Sequence, residues 1–250
     1  MPSAFPSQPI PRITTPTPTP GGGTSPGGAA SGRKGTSGPD SLSGTGGADL
    51  IFGLGGPDSI FGLGGNDSLY GDDGDDSILG ADGSDLLFGG AGRDSVLGGA
   101  GDDTFYGGKG SDSILGDDGN DLLFGNQDSD TLLGGAGNDT LFGGAGDDSL
   151  FGGAGDDCLS GDTGRDTLTG GAGNDTFAIG RSSDGDVIAD FVDGTDRIRL
   201  TAGLTFNQLT ISAAGGTSPS TIIQLTSTKE TLASIFGVAP SSISPADFIF

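Results

Sequence analysis

The chain has 250 residues, of which 54 are Gly and 34 are acidic, against 10 Lys or Arg and no His, giving a formal net charge of −24. The absence of His excludes a histidine-dependent catalytic triad and a zinc hydrolase site. A chain this acidic repels phosphate, which argues against nucleic acid or anionic membrane as a partner and favours cations.

Residues 1–34 form the first segment, in which eight Pro residues, a Thr-Pro run at 15–20 and a Gly-rich stretch at 21–28 occur together. This composition predicts a disordered, polyproline-like linker and not a domain. The segment has no apolar stretch of signal-peptide length, so we expect no cleavable leader there. No stretch of the sequence is long and apolar enough to predict a transmembrane segment.

Residues 35–178 consist of sixteen consecutive nine-residue repeats without an insertion or deletion. Position one is Gly and position six is Asp in every copy, and position four is Gly in every copy except at Asp128. Such regularity argues against low-complexity disorder in a metal-loaded state, although disorder remains the expected state of the metal-free chain.

Position eight of every repeat is a large apolar residue. The sixteen residues are Leu42, Ile51, Ile60, Leu69, Ile78, Leu87, Val96, Phe105, Ile114, Leu123, Leu132, Leu141, Leu150, Leu159, Leu168 and Phe177. Six Gly-rich residues predict a tight turn, and the last three predict a short strand with one inward side chain. Two repeats then make one coil, so the sequence predicts an all-β, right-handed parallel β-roll (β-solenoid) of about eight coils, with a C-terminal β-rich cap.

The charge of the chain is concentrated in this tract, where 27 Asp face only Arg93, Lys109 and Arg165. Each repeat lies beside the repeat two places later, so Asp40 is expected next to Asp58, and Asp49 next to Asp67. Stacked carboxylates about 5 Å apart repel one another unless cations lie between them. Oxygen ligands from flexible, carbonyl-rich loops favour Ca²⁺ over Mg²⁺ or transition metals, and pairing of sixteen loops allows at most 14 sites.

The predicted metal ligands are the sixteen Asp residues at position six. They are Asp40, Asp49, Asp58, Asp67, Asp76, Asp85, Asp94, Asp103, Asp112, Asp121, Asp130, Asp139, Asp148, Asp157, Asp166 and Asp175. An EF-hand is excluded because Glu230 is the only Glu of the chain, and phosphate-binding loops would need a Gly-Lys-Ser/Thr ending. Cys158 stands at position seven, where we expect an outward-facing strand residue.

The pattern Gly-Gly-x-Gly-x-Asp-x-apolar-x, complete in residues 134–142, resembles the repeats-in-toxin (RTX, hemolysin-type calcium-binding) family. The resemblance implies calcium as the ligand and position six as its acidic donor. Asp128 departs from the pattern at position four, so the loop at 125–130 is expected to bind calcium differently. Copies with Thr, Leu, Asp, Ala or Asn at position two depart more mildly.

Residues 179–250 are predicted to form a cap. Residues 186–191 and 194–200 resemble the segment that closes RTX rolls in secreted proteases and alginate epimerases, and they supply apolar residues for the open end of the solenoid. Those residues are Val187, Ile188, Phe191, Ile198 and Leu200. Strands are expected near 209–211 and 221–225, and a short helix near 229–236. Residues 247–250 resemble the tail of type I secretion substrates, and a last strand on the cap is an equally favoured interpretation.

The resemblance implies a secreted, extracellular calcium-binding protein, exported by type I secretion machinery and folding outside the cell. An alternative is a carbohydrate- or surface-binding module with a cell-surface polysaccharide as its partner. It would use the outward aromatic residues at position nine, for which ordinary sheet packing is the favoured interpretation: Phe52, Phe61, Tyr70, Phe88, Tyr106, Phe124, Phe142 and Phe151. A small enzyme is the least favoured class, so we expect a non-enzymatic protein.

Overall fold

The computed structural model describes residues 32–181, 185–215 and 220–249, and these form a β-solenoid of two parallel sheets that face each other. The first sheet consists, in spatial order, of β1 (Arg33–Lys34), β3 (Leu50–Phe52), β5 (Ser68–Asp73), β7 (Leu86–Ala91), β9 (Thr104–Lys109), β11 (Leu122–Gln127), β13 (Thr140–Ala145), β15 (Cys158–Thr163), β17 (Thr176–Ile179), β19 (Arg197–Leu200) and β23 (Phe248–Ile249). The second consists of β2 (Ser41–Ser43), β4 (Ser59–Gly64), β6 (Ser77–Asp82), β8 (Ser95–Ala100), β10 (Ser113–Asp118), β12 (Thr131–Ala136), β14 (Ser149–Ala154), β16 (Thr167–Ala172), β18 (Asp186–Ile188), β22 (Thr231–Phe236), β21 (Ser220–Leu225) and β20 (Leu209–Ala213).

The position-eight residues form the core between the sheets, as predicted. From Ile51 to Phe177 each of them is at most 2% exposed, and Leu42, in the first coil, is 8% exposed. The flanking residues of positions seven and nine point outward because side chains alternate along a strand. The prediction of a parallel β-solenoid with this core is confirmed, and two cap strands, β18 and β19, bring the roll to about nine turns.

Most strands of the roll are six residues long, so the prediction of a six-residue turn followed by a three-residue strand was wrong. The ladder between β10 and β12 pairs Ser113 with Thr131 and, further along, Asp117 with Gly135, but it skips position one. Identical loops stack in register, and their main-chain groups therefore hydrogen-bond from coil to coil. The segment between successive six-residue strands is confined to positions four to six.

Positions two and four both adopt the left-handed backbone region in nearly every loop. In one loop Gly99 has φ 121° and Gly101 has φ 131°. Glycine is favoured at position four for this reason and because a Cβ there would meet the main chain of the neighbouring coil, as a Cβ on Gly101 would meet the carbonyl group of Gly83. Asp128, the one exception, adopts φ 70°, a conformation that Asp tolerates better than most residues.

The roll begins slightly before residue 35, because β1 pairs with β3 in parallel, Arg33 opposite Ile51 and Lys34 opposite Phe52. The last two residues of the predicted linker therefore form the first strand. The rest of that linker, residues 1–31, for which the sequence predicts disorder, lies outside the described residues.

The cap continues both sheets and then adds an antiparallel meander, β20–β21–β22, to the second one. Strands β20 and β21 confirm the predictions near 209–211 and 221–225. The predicted helix near 229–236 is wrong, because Thr231–Phe236 form strand β22, held between β18 and β21. Two short 3-10 helices, Phe206–Gln208 and Pro245–Asp247, complete the cap.

Apolar cap residues close the open end of the core. Phe191 packs against Phe177 with ring centroids 6.2 Å apart, and Ile188, Ile198 and Leu200 are buried. Val187 does not contribute, since it occupies an outward position and is half-buried. Within the described part of the chain, no helix is long and apolar enough to cross a membrane.

Candidate calcium-binding columns

The position-six Asp residues form two columns, one along each edge of the solenoid. The odd column runs from Asp40 to Asp166 in steps of 18 residues, and the even column runs from Asp49 to Asp175. The main-chain N–H of each Asp donates to Oδ1 of the next Asp in its column, at 2.8 Å from Asp40 to Asp58 and 2.7 Å from Asp49 to Asp67. The predicted neighbours therefore do lie side by side.

The second carboxylate oxygen, Oδ2, is the unusual feature of these columns. From Asp58 onward the position-six side chains are at most 3% exposed. Thirteen of their Oδ2 atoms, all within the described residues, are buried without a hydrogen-bond partner; they belong to Asp58, Asp67, Asp76, Asp85, Asp94, Asp103, Asp112, Asp121, Asp130, Asp139, Asp148, Asp157 and Asp166. A buried carboxylate oxygen without a hydrogen-bond partner costs more folding free energy than a buried neutral polar atom without one. The row of unpartnered Oδ2 atoms therefore implies a cationic partner.

Each Oδ2 faces the position-one Gly of its own repeat. A Cβ on Gly89 would lie 2.5 Å from Oδ2 of Asp94 and 2.6 Å from the carbonyl oxygen of Gly107, in the next coil of the same column. A Cβ on Gly107 would lie similarly close to Oδ2 of Asp112 and to the carbonyl oxygen of Gly125. Position one is therefore Gly because only a residue without Cβ lets a carboxylate and a main-chain carbonyl approach the same space.

This donor set fits Ca²⁺. The donors are anionic and carbonyl oxygens on loops that repeat along the column, and Ca²⁺ takes six to eight such oxygens in flexible geometry. Among residues 32–181, 185–215 and 220–249 no three His, Cys, Asp or Glu side chains converge as a metal-binding group. A bound ion would therefore need main-chain carbonyl oxygens in addition to the Asp carboxylates.

The columns also perturb the ionisation of their carboxylates. Burial raises the pKa of Asp94, Asp103 and Asp157 to about 7 and that of Asp130 to about 8. The main-chain hydrogen bond to each side chain opposes this shift, and the charges of neighbouring Asp residues in the column add to it. In the absence of a cation, the folded roll therefore holds protons that the unfolded chain releases.

Two Asp residues of the cap extend the columns beyond the repeats, and the sequence analysis did not assign them. Oδ1 of Asp186 accepts from the N–H of Asp166 at 3.2 Å, and Oδ1 of Asp196 accepts from that of Asp175 at 3.1 Å. Burial and the nearby Asp166 carboxylate raise the pKa of Asp186 to about 8. The sequence does contain a feature that could have identified them: residues 186–188 and 196–198 have the order Asp-x-apolar, which matches positions six to eight of a repeat.

A carboxylate from the cap accepts the main-chain hydrogen bonds of the sixteenth repeat that have no partner in a further repeat. In the array, the N–H of position one donates to the position-nine carbonyl of the next repeat, as from Gly53 to Tyr70 at 2.7 Å. The sixteenth repeat has no such partner. Instead, Oδ1 and Oδ2 of Asp190 accept from the N–H groups of Gly170 and Gly171, each at 2.9 Å.

The repeat that contains Asp128 keeps the common site geometry, although Asp128 replaces the Gly of position four. Oδ2 of Asp128 accepts from the N–H of Gly110 at 3.1 Å, while Asp130 in the same loop remains buried with Oδ2 unpartnered. Weaker or different calcium binding at this loop stays a prediction.

Cys158 is a free, half-buried residue of β15, and its Sγ accepts from Nη1 of Arg199 at 3.3 Å.

The position-nine aromatic residues of the first sheet form a continuous stack. From Phe52 to Phe142 the six ring centroids are 4.6–5.1 Å apart and neighbouring planes differ by 6–17°. Each internal ring is covered on both faces by its neighbours, and Nζ of Lys34 lies 5.3 Å from the centroid of Phe52, at the first end. The stack thus consolidates the sheet and leaves the edges, not the faces, of its internal rings toward solvent.

Comparison with known proteins identifies the repeats. The family described as RTX calcium-binding nonapeptide repeat (4 copies) matches residues 34–69, 52–87, 61–96, 79–114, 88–123, 97–132, 124–159 and 151–185, which together span more than half of the chain. Comparison with curated protein sequences finds no match.

Solved structures with similarity to the chain include the AlgE6R3 subunit of the Azotobacter vinelandii mannuronan C5-epimerase, at 30% identity and a TM-score of 0.24, over 52% of this chain and 78% of that one. Another is the extracellular lipase LipA of Serratia marcescens, at 19% identity and a TM-score of 0.26, over 86% of this chain and 40% of that one.

Proposed function

Since the chain belongs to the RTX calcium-binding nonapeptide repeat family and has a β-roll fold, we propose that it is a secreted structural protein that folds on binding calcium outside the cell. The proposed ligands are the position-six carboxylates with a buried Oδ2, together with main-chain carbonyl oxygens of the adjacent coils. The proposed role is non-catalytic.

The row of buried, unpartnered Oδ2 atoms carries this proposal. Without cations, the folded roll must either hold stacked buried charges or protonate them, and both states are unfavourable at neutral pH. Calcium supplies the missing partner and the counter-charge together. Because the two sides of each site belong to different coils, the sites exist only when coils stack, which links metal binding to folding.

Linkage of this kind supports export of an unfolded chain. Sites with dissociation constants on the order of 10⁻⁴ to 10⁻³ M, as in extracellular calcium modules, would stay empty in the cytosol and fill outside the cell. In the folded protein, Phe248–Ile249 pair with β19, and Oδ2 of Asp247 accepts from the N–H and Oγ of Ser244 at 2.8 and 3.0 Å. A tail read by type I secretion machinery would therefore be free only before folding.

The stacked rings do not favour the polysaccharide alternative. Sugars bind aromatic side chains chiefly through the ring faces, and the internal faces from Tyr70 to Phe124 are covered by neighbouring rings.

Calcium titration of the full chain tests the proposal. We expect far-UV circular dichroism in chelator to show a largely unfolded chain, and millimolar calcium to induce a β-rich spectrum that chelator reverses. Tyr70 and Tyr106, the only Tyr residues in a chain without Trp, both lie in the ring stack, so their fluorescence reports on the roll. Magnesium at the same concentration is the control. A compact β-rich spectrum that persists in excess chelator at neutral pH would refute the proposal.

A further inference from the structure

The first two repeats differ from all later ones at position two. In the later repeats this residue is left-handed whether it is Gly or not: Leu54 has φ 81° and Leu63 has φ 83°. Thr36 and Thr45, at the same position of the first two repeats, do not adopt positive φ. A β-branched residue is strongly disfavoured in the left-handed region, so Thr forces these two loops into another conformation.

That conformation supplies a partner for the carboxylate oxygen that is unpartnered elsewhere. The main-chain N–H and Oγ1 of Thr36 donate to Oδ2 of Asp40 at 2.6 and 2.9 Å. Thr45 makes the same two contacts with Oδ2 of Asp49, also at 2.6 and 2.9 Å. In the third and fourth repeats, by contrast, Oδ2 of Asp58 and Asp67 is buried without a partner.

The location of these two loops explains why they differ. They form the first coil, where Asp40 and Asp49 are half-exposed and no earlier repeat lies beside them. Terminal repeats of a solenoid need a modified, polar end because they lack one neighbour. A threonine that satisfies the carboxylate from within the same loop provides such an end for each column.

We propose that Thr36 and Thr45 replace calcium at the start of the two columns, so that the loops at 35–40 and 44–49 are metal-free caps. The inference rests on the proposed function, since it concerns which loops of a calcium-binding roll take the ion. The first carboxylates that bind calcium are then those of Asp58 and Asp67. The largest number of sites between paired repeats falls by two, from 14 to 12.

Ion counting on the full chain at saturating calcium tests this assignment. The double variant Thr36→Gly/Thr45→Gly permits the left-handed conformation and removes Oγ1, so it should bind two more ions than the parent. The matched control is Leu54→Gly/Leu63→Gly, at the same position of the next two repeats, where the backbone is already left-handed. It should bind the same number as the parent.

A second pair of variants tests directly whether the carboxylates of the first two repeats bind calcium. Asp40→Asn/Asp49→Asn should leave the ion count of the parent unchanged, whereas Asp58→Asn/Asp67→Asn should lower it by at least two. A loss of two ions from the Asp40/Asp49 variant would overturn the inference. So would an unchanged count in the Thr→Gly variant with a calcium-induced spectrum equal to that of the parent. In both cases the parent still binds calcium, so the proposed function stands; a parent that binds no calcium removes both.

Discussion

Replacing Asp94 by Asn in the middle of the odd column separates the metal-binding role of position six from its structural role. Asp94 is 2% exposed, its Oδ1 accepts from the N–H of Asp76 at 2.9 Å, and its Oδ2 has no partner. Asn preserves the size of the side chain and the oxygen that accepts from Asp76. It replaces the charged Oδ2 with an N–H donor beside the carbonyl of Gly107.

The substitution has opposite effects in the two states of the roll. Removing an unsatisfied buried carboxylate oxygen should favour folding without metal by about 1–3 kcal/mol. Removing a calcium ligand should abolish one site, which contributes about 2.7 kcal/mol when free calcium exceeds the dissociation constant a hundredfold. The variant should therefore bind at least one ion fewer and gain less stability from calcium than the parent.

Equilibrium dialysis for the ion count, with urea unfolding at several calcium concentrations, measures both effects. The control is Asp118→Asn, which makes the same change of charge at an exposed side chain of position three. It should keep the ion count and change the free energy of unfolding by less than about 0.5 kcal/mol. An undiminished ion count in the Asp94 variant would remove position six from the ligand set and refute the reasoning.

Three other predictions follow from the same geometry. Leu132→Ala should open a cavity in the fully buried core and lower the free energy of unfolding in calcium by roughly 2–5 kcal/mol without changing the ion count, and a reduced count would contradict the separation of core from site. Deleting residues 179–250 should weaken calcium-induced folding, because it exposes the core at Phe177. Deleting residues 1–31 should leave the calcium concentration at the folding midpoint unchanged. Equal midpoints for both truncations would contradict the role of the cap. Because burial raises the pKa of carboxylates such as Asp94 and Asp130 from 3.8 to about 7 and 8, the folded metal-free roll binds more protons than the unfolded chain between about pH 4 and pH 8. Its stability should therefore fall as the pH rises through that window, seen as more β structure in chelator at pH 4 than at pH 8, and calcium should release protons on binding; identical spectra at the two pH values would exclude this linkage.

The sequence alone determined the main architecture, because a strict period of nine fixes neighbours. Two repeats per coil place Asp40 beside Asp58, and an apolar residue at position eight of every copy specifies a core between two sheets. Those inferences need no knowledge of side-chain contacts, and the structure confirms both. The strict Gly at position one was visible too, but its physical reason, the shared space of Asp94 Oδ2 and the Gly107 carbonyl, was not.

Tertiary structure decided whatever depends on stacking or breaks the period. The loops join the sheets because their main-chain groups find partners in the adjacent coil, as the N–H of Gly56 does with the carbonyl of Asp73 at 2.7 Å, which no single repeat reveals. Residues 231–236 form a strand because β18 and β21 offer pairing on both sides. Asp186 and Asp196 join the columns after steps of 20 and 21 residues, so the nine-residue period could not locate them. In the sequence, Thr36 and Thr45 look like a mild variation of the pattern. Their importance becomes visible only in the folded loops, because position two is left-handed in all repeats from the third to the sixteenth.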